Sequence, residues 1–216
     1  MATLLGEPFA LHPPGDYVSD VIRLSGEWYE QPVLEAIRER LESGPAGVLV
    51  DVGAMIGTHS CYLAGLARHT EIRAFEPSPA NLPLLLANAA RWPTVHVHPL
   101  ALSDREHLVR LQLDPENRGH TRVAERPDPG ADWIEAPATT LDAFRLEEVR
   151  LVKIDVEGHE NEVLWGAERT IRRWHPMLVL ESWAGAPWVP PGYELAAEWE
   201  RAHQTFLYEW RGRAVG

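Results

Sequence analysis

The chain has 216 residues, 45% of them hydrophobic and 24% charged, which is typical of a soluble globular domain. Its single cysteine, Cys61, excludes an internal disulfide and disfavours a cysteine-based zinc site, as expected in a reducing cytoplasm. The net charge of −12 disfavours a nucleic-acid substrate, because proteins that bind DNA or RNA present a basic face. The sequence has neither the pattern of a secretory signal nor a run near the ~20 apolar residues of a membrane span, so we expect a cytoplasmic protein with no membrane partner.

The first half of the chain shows an alternation of helical and strand patterns. The first thirty residues are predicted to be irregular, since they contain Pro13, Pro14 and Gly15. A helical pattern begins at Pro32 and stops at the Ser-Gly-Pro of residues 43–45. Apolar runs then predict buried strands separated by helices. The strands are Val48–Val52, Ile72–Glu76 and Val95–His98, and the helices are Thr58–Arg68 and Pro79–Ala90.

The second half continues the same alternation after a polar interruption. Leu108–Leu113 alternates like an exposed antiparallel strand, with Trp133–Ala136 as its candidate partner. Between them, residues 114–132 form a long loop rich in Pro, Gly, Arg and Asp. The further strands are Leu151–Val156, Met177–Glu181 and Thr205–Trp210, and the further helix is Glu160–Trp174.

Repeated strand–helix units predict an α/β fold with a doubly wound, mostly parallel sheet and helices on both faces. We assign residues 1–45 to an N-terminal helical segment that could serve as a lid, and residues 46–216 to the ligand-binding domain. In such sheets the ligand lies beyond the carboxyl ends of the strands, at the switch point. The residues that end each strand are therefore the candidates for a site.

The first candidate is the turn Asp51-Val52-Gly53-Ala54-Met55-Ile56-Gly57. Gly53 allows a sharp turn close to a ligand, and Gly57 lets the next helix begin tightly against it. This G-x-x-x-G spacing differs from the G-x-G-x-x-G of dinucleotide binders. The Asp51 charge would repel a pyrophosphate but suits a ligand that carries an ammonium and a sulfonium.

The second candidate is Glu76, which ends the next strand about twenty residues after Gly57. An acid at this place can accept hydrogen bonds from both hydroxyls of a ribose. The pattern fits the adenosine of either a nicotinamide cofactor or a methionine-derived cofactor.

Residues 153–160, Lys-Ile-Asp-Val-Glu-Gly-His-Glu, make the interpretation specific. This octapeptide resembles the signature of the FkbM family of methyltransferases. The similarity covers roughly Gly47 to Trp183, and it departs at Met55, where the family often has Asn. Other stretches resemble the family in the same order, and they are Asp51–Ala54, Ile56-Gly57, Phe75–Pro77, Asn88, Ala101–Asp104 and Thr140–Asp142.

The resemblance implies a class I methyltransferase fold of the Rossmann-like kind. It implies S-adenosyl-L-methionine as cofactor and transfer of its methyl group, usually to a hydroxyl of a small molecule or sugar. The cofactor-binding residues expected on this basis are Asp51, Gly53, Ala54, Gly57, Glu76, Ser103, Asp104 and Asp155.

Methyl transfer from a sulfonium is an in-line displacement, so the enzyme has to align the acceptor and remove its proton. Asp155 ends a central strand, where the methyl group would arrive, and Glu157 and His159 lie just beyond it. We predict Asp155 or Glu157 as the base or acceptor-orienting carboxylate, with His159 as a second candidate base. Two plainer alternatives stand beside this interpretation: Glu160 and Glu162 would favour the positive end of a helix, and His159 would be a surface cap.

Lys153 lies inside a strand, where an unpaired lysine would be costly, so we predict a pair with Asp51 or Asp142. We interpret it as structural or site-shaping. The carboxylates at the strand ends could supply oxygen ligands to magnesium, but such acids are common without metal, and we predict no metal site.

The substrate contacts are predicted only from where the residues lie along the chain. The Trp-Tyr-Glu of residues 28–30 precedes the first strand and could fold over the pocket, and residues 117–122 of the long loop could cap the acceptor. An aromatic wall after the fifth strand would suit a sugar or macrocycle, although most tryptophans are expected to cover core edges. The candidate substrate residues are Trp28, Tyr29, Glu30, His120, Glu181 and Trp183.

Four functions remain open from the sequence. O-methylation of a small biosynthetic acceptor leads, and N-methylation of an amine, amide or guanidine is the alternative within the same class. A nicotinamide-dependent oxidoreductase is disfavoured by the missing dinucleotide motif. A non-catalytic cofactor-binding module is disfavoured by the acids at positions 51, 76 and 155. A homodimer is left open.

Overall fold

A computed structural model describes residues 2–4, 6–114, 118–124, 126, 128–182, 185–200 and 204–212. The strands are β1 Ala2–Leu4, β2 Glu7–Phe9, β3 Val48–Val52, β4 Glu71–Phe75, β5 Val95–His98, β6 Ala101–Leu102, β7 His107–Gln112, β8 Arg122–Val123, β9 Trp133–Thr139, β10 Val149–Ile154, β11 Met177–Ser182, β12 Tyr193–Glu200 and β13 Gln204–Trp210. The α-helices are α1 Tyr17–Ser25, α2 Gln31–Glu42, α3 Thr58–Leu66, α4 Leu82–Ala89, α5 Glu160–Gly166 and α6 Glu168–Trp174, with 3-10 turns at Arg118–His120 and Leu141–Phe144. Within these residues, no helix has the length and apolar character to cross a bilayer.

The central sheet has seven strands in the order β12-β13-β11-β10-β3-β4-β5. Strands β11, β10, β3, β4 and β5 are parallel, and β13 runs antiparallel to both β11 and β12. From β3 the chain moves outward through β4 and β5 and then returns to the other side at β10. The carboxyl ends of β3 and β10 therefore flank the switch point of the sheet. This architecture confirms the predicted α/β, class I methyltransferase fold.

Two hydrophobic cores cover the two faces of this sheet. Alternate strand residues such as Leu49 and Leu151 pack with helices α1, α2 and α3, while Val50 and Val152 pack with α5 and α6. Because parallel strands are buried on both faces, they appear in the sequence as continuous apolar runs. The N-terminal helices share their core with the central strands.

The predicted helix over residues 160–174 is wrong as a single element, because it is broken between α5 and α6. A Cβ on Gly166 would lie 1.9 Å from the carbonyl oxygen of Ser103, so α5 approaches the backbone after β6 more closely than any other residue would allow. Ala167 then leaves helical geometry with φ −109°. The Asp142 carboxylate accepts hydrogen bonds from the N–H groups of Arg169 and Thr170 at 3.0 and 2.8 Å, which stabilises the start of α6.

The prediction that the first thirty residues are irregular is also wrong. They form the β1–β2 hairpin and helix α1, whose N-cap Asp16 accepts a hydrogen bond from the Ser19 N–H at 3.0 Å. Gly26 ends the helix in the left-handed conformation. Strand β12 was not predicted, and part of the predicted loop forms β8 and a 3-10 turn.

Asn88 of α4 attaches the N-terminal segment to the turn after β3. Its side-chain amide donates to the carbonyls of Ala10 and Ile56 at 3.0 and 2.8 Å and accepts from the Ala10 N–H at 2.7 Å. One buried amide therefore satisfies backbone groups from two separate segments.

His98, the last residue of β5, packs as an aromatic ring against the core. Its ring stacks on Phe75 with centroids 4.7 Å apart and meets Phe144 edge-on at 5.0 Å. Among the described residues, its buried Nε2 has no hydrogen-bond partner. Burial, together with the nearby charge of Arg73, lowers the pKa of His98 below its ordinary 6.5.

We predict that the stability contributed by His98 falls as the pH drops below 6.5. The folded pKa lies below the unfolded one, so the unfolded chain binds the proton more readily in this window. The difference in unfolding free energy between the native chain and His98→Phe should therefore change between pH 8 and 5, by at most ~1.4 kcal/mol per unit. Urea unfolding measures it. His96→Gln, at a more exposed histidine of the same strand, is the control, and parallel pH profiles for the native chain and His98→Phe would contradict the prediction.

Candidate active site

A cleft opens at the carboxyl ends of β3, β4, β10 and β11. Its volume is about 1000 Å³ including the open mouth, which accommodates a nucleoside-sized ligand. The sequence-predicted residues that line it are Tyr29, Gly53, Ala54, Glu76, Asp155, Glu157, His159 and Glu181. Trp183 and the side chain of His120 lie outside the described part of the structure.

The glycine turn after β3 forms one wall of the cleft. Gly53 has φ 78°, and a Cβ there would lie 1.8 Å from the carbonyl oxygen of Asp155. Only glycine lets the ends of β3 and β10 approach this closely. Gly57, at φ 90°, is the N-cap of α3 and packs under Leu85 rather than lining the cleft.

Glu76 is fixed at the end of β4 by the same turn. Its carboxylate accepts hydrogen bonds from the N–H groups of Met55 and Ser78, both at 2.8 Å, and from the Asn81 amide at 3.3 Å. Within the described part of the chain, the Oε2 atom accepts only from Met55, so it retains capacity for one more donor. Burial raises the pKa of Glu76 to about 7, although these hydrogen bonds oppose the shift.

Met55 stands where the FkbM family often has Asn, and the structure shows what this difference changes. Its backbone is left-handed, with φ 49°, which Asn adopts more readily than Met. The contact with Glu76 is made by the backbone N–H of Met55. A change of side chain therefore leaves this hydrogen bond in place.

Lys153 connects the ends of β3 and β10 from below the cleft. Its ammonium is 3.2 Å from the Gly53 carbonyl, 3.3 Å from Asp51 and 3.4 Å from Asp155. Burial lowers the pKa of Lys153, but the surrounding carboxylates outweigh it and raise the pKa above its ordinary value. The predicted pair with Asp51 is confirmed. The alternative pair with Asp142 is wrong, because Asp142 caps α6.

Asp51 is enclosed beneath this cleft and does not line it. Only 2% of the residue is exposed, and its carboxylate accepts a hydrogen bond from the Ser60 hydroxyl at 2.6 Å. Burial raises its pKa, but the charges of Lys153 and His59 hold it below the ordinary range. The structure thus gives Asp51 a supporting place behind the glycine turn.

Carboxylates crowd the end of the cleft beside β11. Glu181 is 7% exposed, and burial, followed by the charges of Asp155 and Glu30, raises its pKa to about 10. The same effects raise the pKa of the Tyr29 hydroxyl, which lines the cleft. Glu30, a predicted substrate residue, does not line the cleft and lies 3.5 Å from the His59 imidazole.

His159 precedes α5 at the opposite side of Asp155. Its Nε2 is 3.0 Å from the Ser103 hydroxyl, and its Nδ1 is 3.6 Å from the Glu162 carboxylate. Burial lowers the pKa of His159. The Nε2 atom of His159 is engaged with Ser103, whereas the Asp155 carboxylate faces the cleft with a quarter of its side chain exposed.

Three further predicted site residues, besides Asp51, Gly57 and Glu30, do not line the cleft. Trp28 packs edge-on against Phe9 and Tyr62, with ring centroids 5.4 and 5.7 Å away, and is 8% exposed, so it belongs to the core rather than to a substrate wall. Ser103 is completely buried and donates to Asp104 at 3.2 Å. Neither Ser103 nor Asp104 lines the cleft.

The N-terminal segment supplies contacts that were not predicted. Tyr17 and Val18 of α1 line the cleft. Arg118 and Thr121 line it as well, and they belong to the loop over residues 117–122 that was predicted to cap the acceptor. Helix α1 could have been predicted from the sequence, since Asp16 and Gly26 are typical residues at the start and the end of a helix.

A further unpredicted contact supports Glu76 from behind. The Nε2 atom of buried His12 lies 2.8 Å from the Asn81 carbonyl oxygen, and the amide of Asn81 donates to Glu76. His12 and Asn81 are 69 residues apart, so sequence pattern could not join them. No group of three or more His, Cys, Asp or Glu side chains in the described ranges could hold a metal ion.

Comparison with known proteins adds independent findings. The Methyltransferase FkbM domain model matches residues 51–201. The chain is 29% identical over 157 residues to hexuronic acid methyltransferase AglP of Haloferax volcanii, covering 72% of this chain and 63% of that protein. It is 29% identical over 166 residues to 31-O-demethyl-FK506 methyltransferase FkbM of Streptomyces tacrolimicus, covering 61% and 64% respectively. The chain thus spans a little under two thirds of these relatives.

Solved structures share the fold. Methyltransferase FkbM from Methylobacillus flagellatus is similar with a TM-score of 0.57 and 19% identity, covering 77% of this chain and 44% of that one. A putative methyltransferase, yhhF from Escherichia coli, is similar with a TM-score of 0.52 and 13% identity, covering 99% of this chain and 97% of that one.

We predict that Lys153→Met destabilises the fold by ~3–5 kcal/mol, because it leaves the buried Asp51 carboxylate without its cation. The double variant Asp51→Asn with Lys153→Met should recover part of the loss, since it removes the buried charge as well. Urea unfolding of the two variants measures both effects. A loss below ~1 kcal/mol for Lys153→Met would show that the pair is not essential to the fold.

Proposed function

Because the chain belongs to the FkbM methyltransferase family, we propose that it transfers the methyl group of S-adenosyl-L-methionine to a hydroxyl of a small biosynthetic acceptor. One observation carries the proposal. The Gly53 turn, the Glu76 carboxylate and the Asp155 carboxylate line one cleft at the ends of three neighbouring strands. A cofactor with a ribose at one end and a positive charge at the other matches that arrangement.

The residues present fit this cofactor. Glu76 has an acceptor site left for a ribose hydroxyl, and the Cβ-free surface of Gly53 allows close approach of the methionine part. The carboxylates of Asp155 and Glu157 favour its ammonium and sulfonium. When bound, the cofactor would supply an electrophilic methyl group.

The chain's own residues would align the acceptor and shield the reaction. Asp155, whose carboxylate is held by Lys153 at 3.4 Å, would orient the acceptor hydroxyl. Tyr29 and Tyr17, edge-to-face with centroids 6.3 Å apart, would form the wall that limits water. Glu157, at φ 56° in the loop after β10, would contact the acceptor.

Two relatives support a hydroxyl-bearing acceptor. One is named for hexuronic acid and the other for 31-O-demethyl-FK506, whose name places the methyl group on oxygen.

N-methylation of an amine is the second candidate. It is favoured by the carboxylates of Asp155 and Glu157, which line the cleft and would attract a cationic acceptor. Mass analysis of a panel of sugars, phenols, macrolides, amines and guanidines, each incubated with the cofactor, separates the two.

We predict that Glu76→Ala weakens binding of S-adenosylhomocysteine at least ~10-fold, because the ribose loses a charge-assisted hydrogen bond. Affinity for adenosine should rise from pH 6 to 8, since the hydroxyls bind the ionised carboxylate and the pKa of Glu76 is about 7. Calorimetric titration measures both. Glu76→Gln should give a flat pH profile, and exposed Glu135→Gln is the control. Unchanged affinity for Glu76→Ala would contradict the ribose role.

We predict that Asp155→Asn lowers turnover at saturating cofactor by at least ~10²-fold, because the acceptor loses the carboxylate that orients it. The acceptor that gains mass in the panel is used for this measurement. Lys153 remains paired with Asp51 in this variant, so its fold should persist. Turnover within threefold of the native chain would remove Asp155 from the mechanism.

A further inference from the structure

Glu181 and Asp155 follow neighbouring strands of the central sheet. The register of β10 and β11 pairs Ile154 with Leu180. Asp155 and Glu181, which follow this pair, therefore lie side by side, with their backbones about 4.8 Å apart. Both side chains line the cleft. Two carboxylates thus meet where the acceptor would lie.

The carboxylates of Asp155 and Glu181 differ in exposure and in the charges around them. Asp155 has the Lys153 ammonium 3.4 Å away and a quarter of its side chain exposed, so its negative charge is compensated. Glu181 is 7% exposed and faces the charges of Asp155, Glu30 and Glu157, with Lys153 as the opposing cation. A pair of acids in unequal surroundings divides into one that stays ionised and one that exchanges a proton.

We propose, on the premise of the methyl transfer above, that Glu181 is the proton acceptor for the acceptor hydroxyl, while Asp155 orients that hydroxyl. The hydroxyl oxygen forms a bond to the methyl carbon as the carbon–sulfur bond breaks, and the electron pair of that bond passes to sulfur. The hydroxyl proton moves to a Glu181 carboxylate oxygen and later to solvent. Atoms and charge balance without a further reactant.

This role requires Glu181 to be ionised at the moment of transfer. Burial and like charges raise the pKa of Glu181 to about 10, so the protonated form is favoured until a cation binds nearby. The raised pKa of Tyr29 excludes the neighbouring hydroxyl as a base. The positive charge of the sulfonium favours the ionised form. Binding of the cofactor should therefore release the Glu181 proton, so that the base is formed only when the methyl group is present.

The test compares S-adenosylmethionine with S-adenosylhomocysteine, which lacks the sulfonium charge. Calorimetric titration at pH 7.5 in buffers of different ionisation enthalpy counts the protons released. The native chain should release up to one proton more with the sulfonium ligand. Glu181→Gln, which matches the protonated form in shape, should release equal numbers with both ligands and still bind S-adenosylhomocysteine within threefold of the native chain.

Turnover of Glu181→Gln should fall at least ~10²-fold with the acceptor found in the panel. Glu209→Gln is the matched control, because Glu209 lies at the opposite end of the sheet, 2.9 Å from Arg40. Turnover of Glu181→Gln within threefold of the native chain, or the same excess proton release in that variant, would overturn the assignment. Failure of the native chain to bind either ligand would instead refute the proposed function itself, and the inference with it.

Discussion

The buried ammonium of Lys153 is the interaction on which the site depends. It lies within 3.4 Å of Asp51, Asp155 and the Gly53 carbonyl, so one cation fixes the ends of β3 and β10 at the switch point of the sheet. A buried charge of this kind is costly unless it is paired, and here each partner also has a place in or under the cleft. The glycine turn, the central carboxylate and the strand register are therefore stabilised together.

The sheet and most of its helices could be predicted from the sequence, because parallel strands buried on both faces leave apolar runs such as Val48–Val52. Glu76 and Asp155 could be located as well, since strand ends meet at one edge of such a fold. The break at Gly166 could not, because it depends on a close approach to the Ser103 carbonyl, 63 positions away. The β12 strand could have been predicted, because over residues 193–200 Tyr, Leu, Ala and Trp alternate with Glu, Ala, Glu and Glu, the pattern of a half-buried strand.

The prediction for Trp28 failed for a different reason. The position of a residue before the first strand does not determine whether its aromatic side chain packs in the core or lines the cleft. Here Phe9 and Tyr62 form the apolar surroundings in which Trp28 packs. Tyr29, the next residue, does line the cleft, as predicted from the same position. Neighbouring residues therefore divided between core and cleft, and the division was decided by segments distant in sequence.

The hydrogen bonds from His12 through Asn81 to Glu76 have a thermodynamic consequence. They connect the segment before α1 to the carboxylate that faces the cleft, over distances of 2.8 and 3.3 Å. The position of the Glu76 carboxylate and the packing of the segment before α1 are therefore supported by the same hydrogen bonds. A substitution at His12 or Asn81 would act on both.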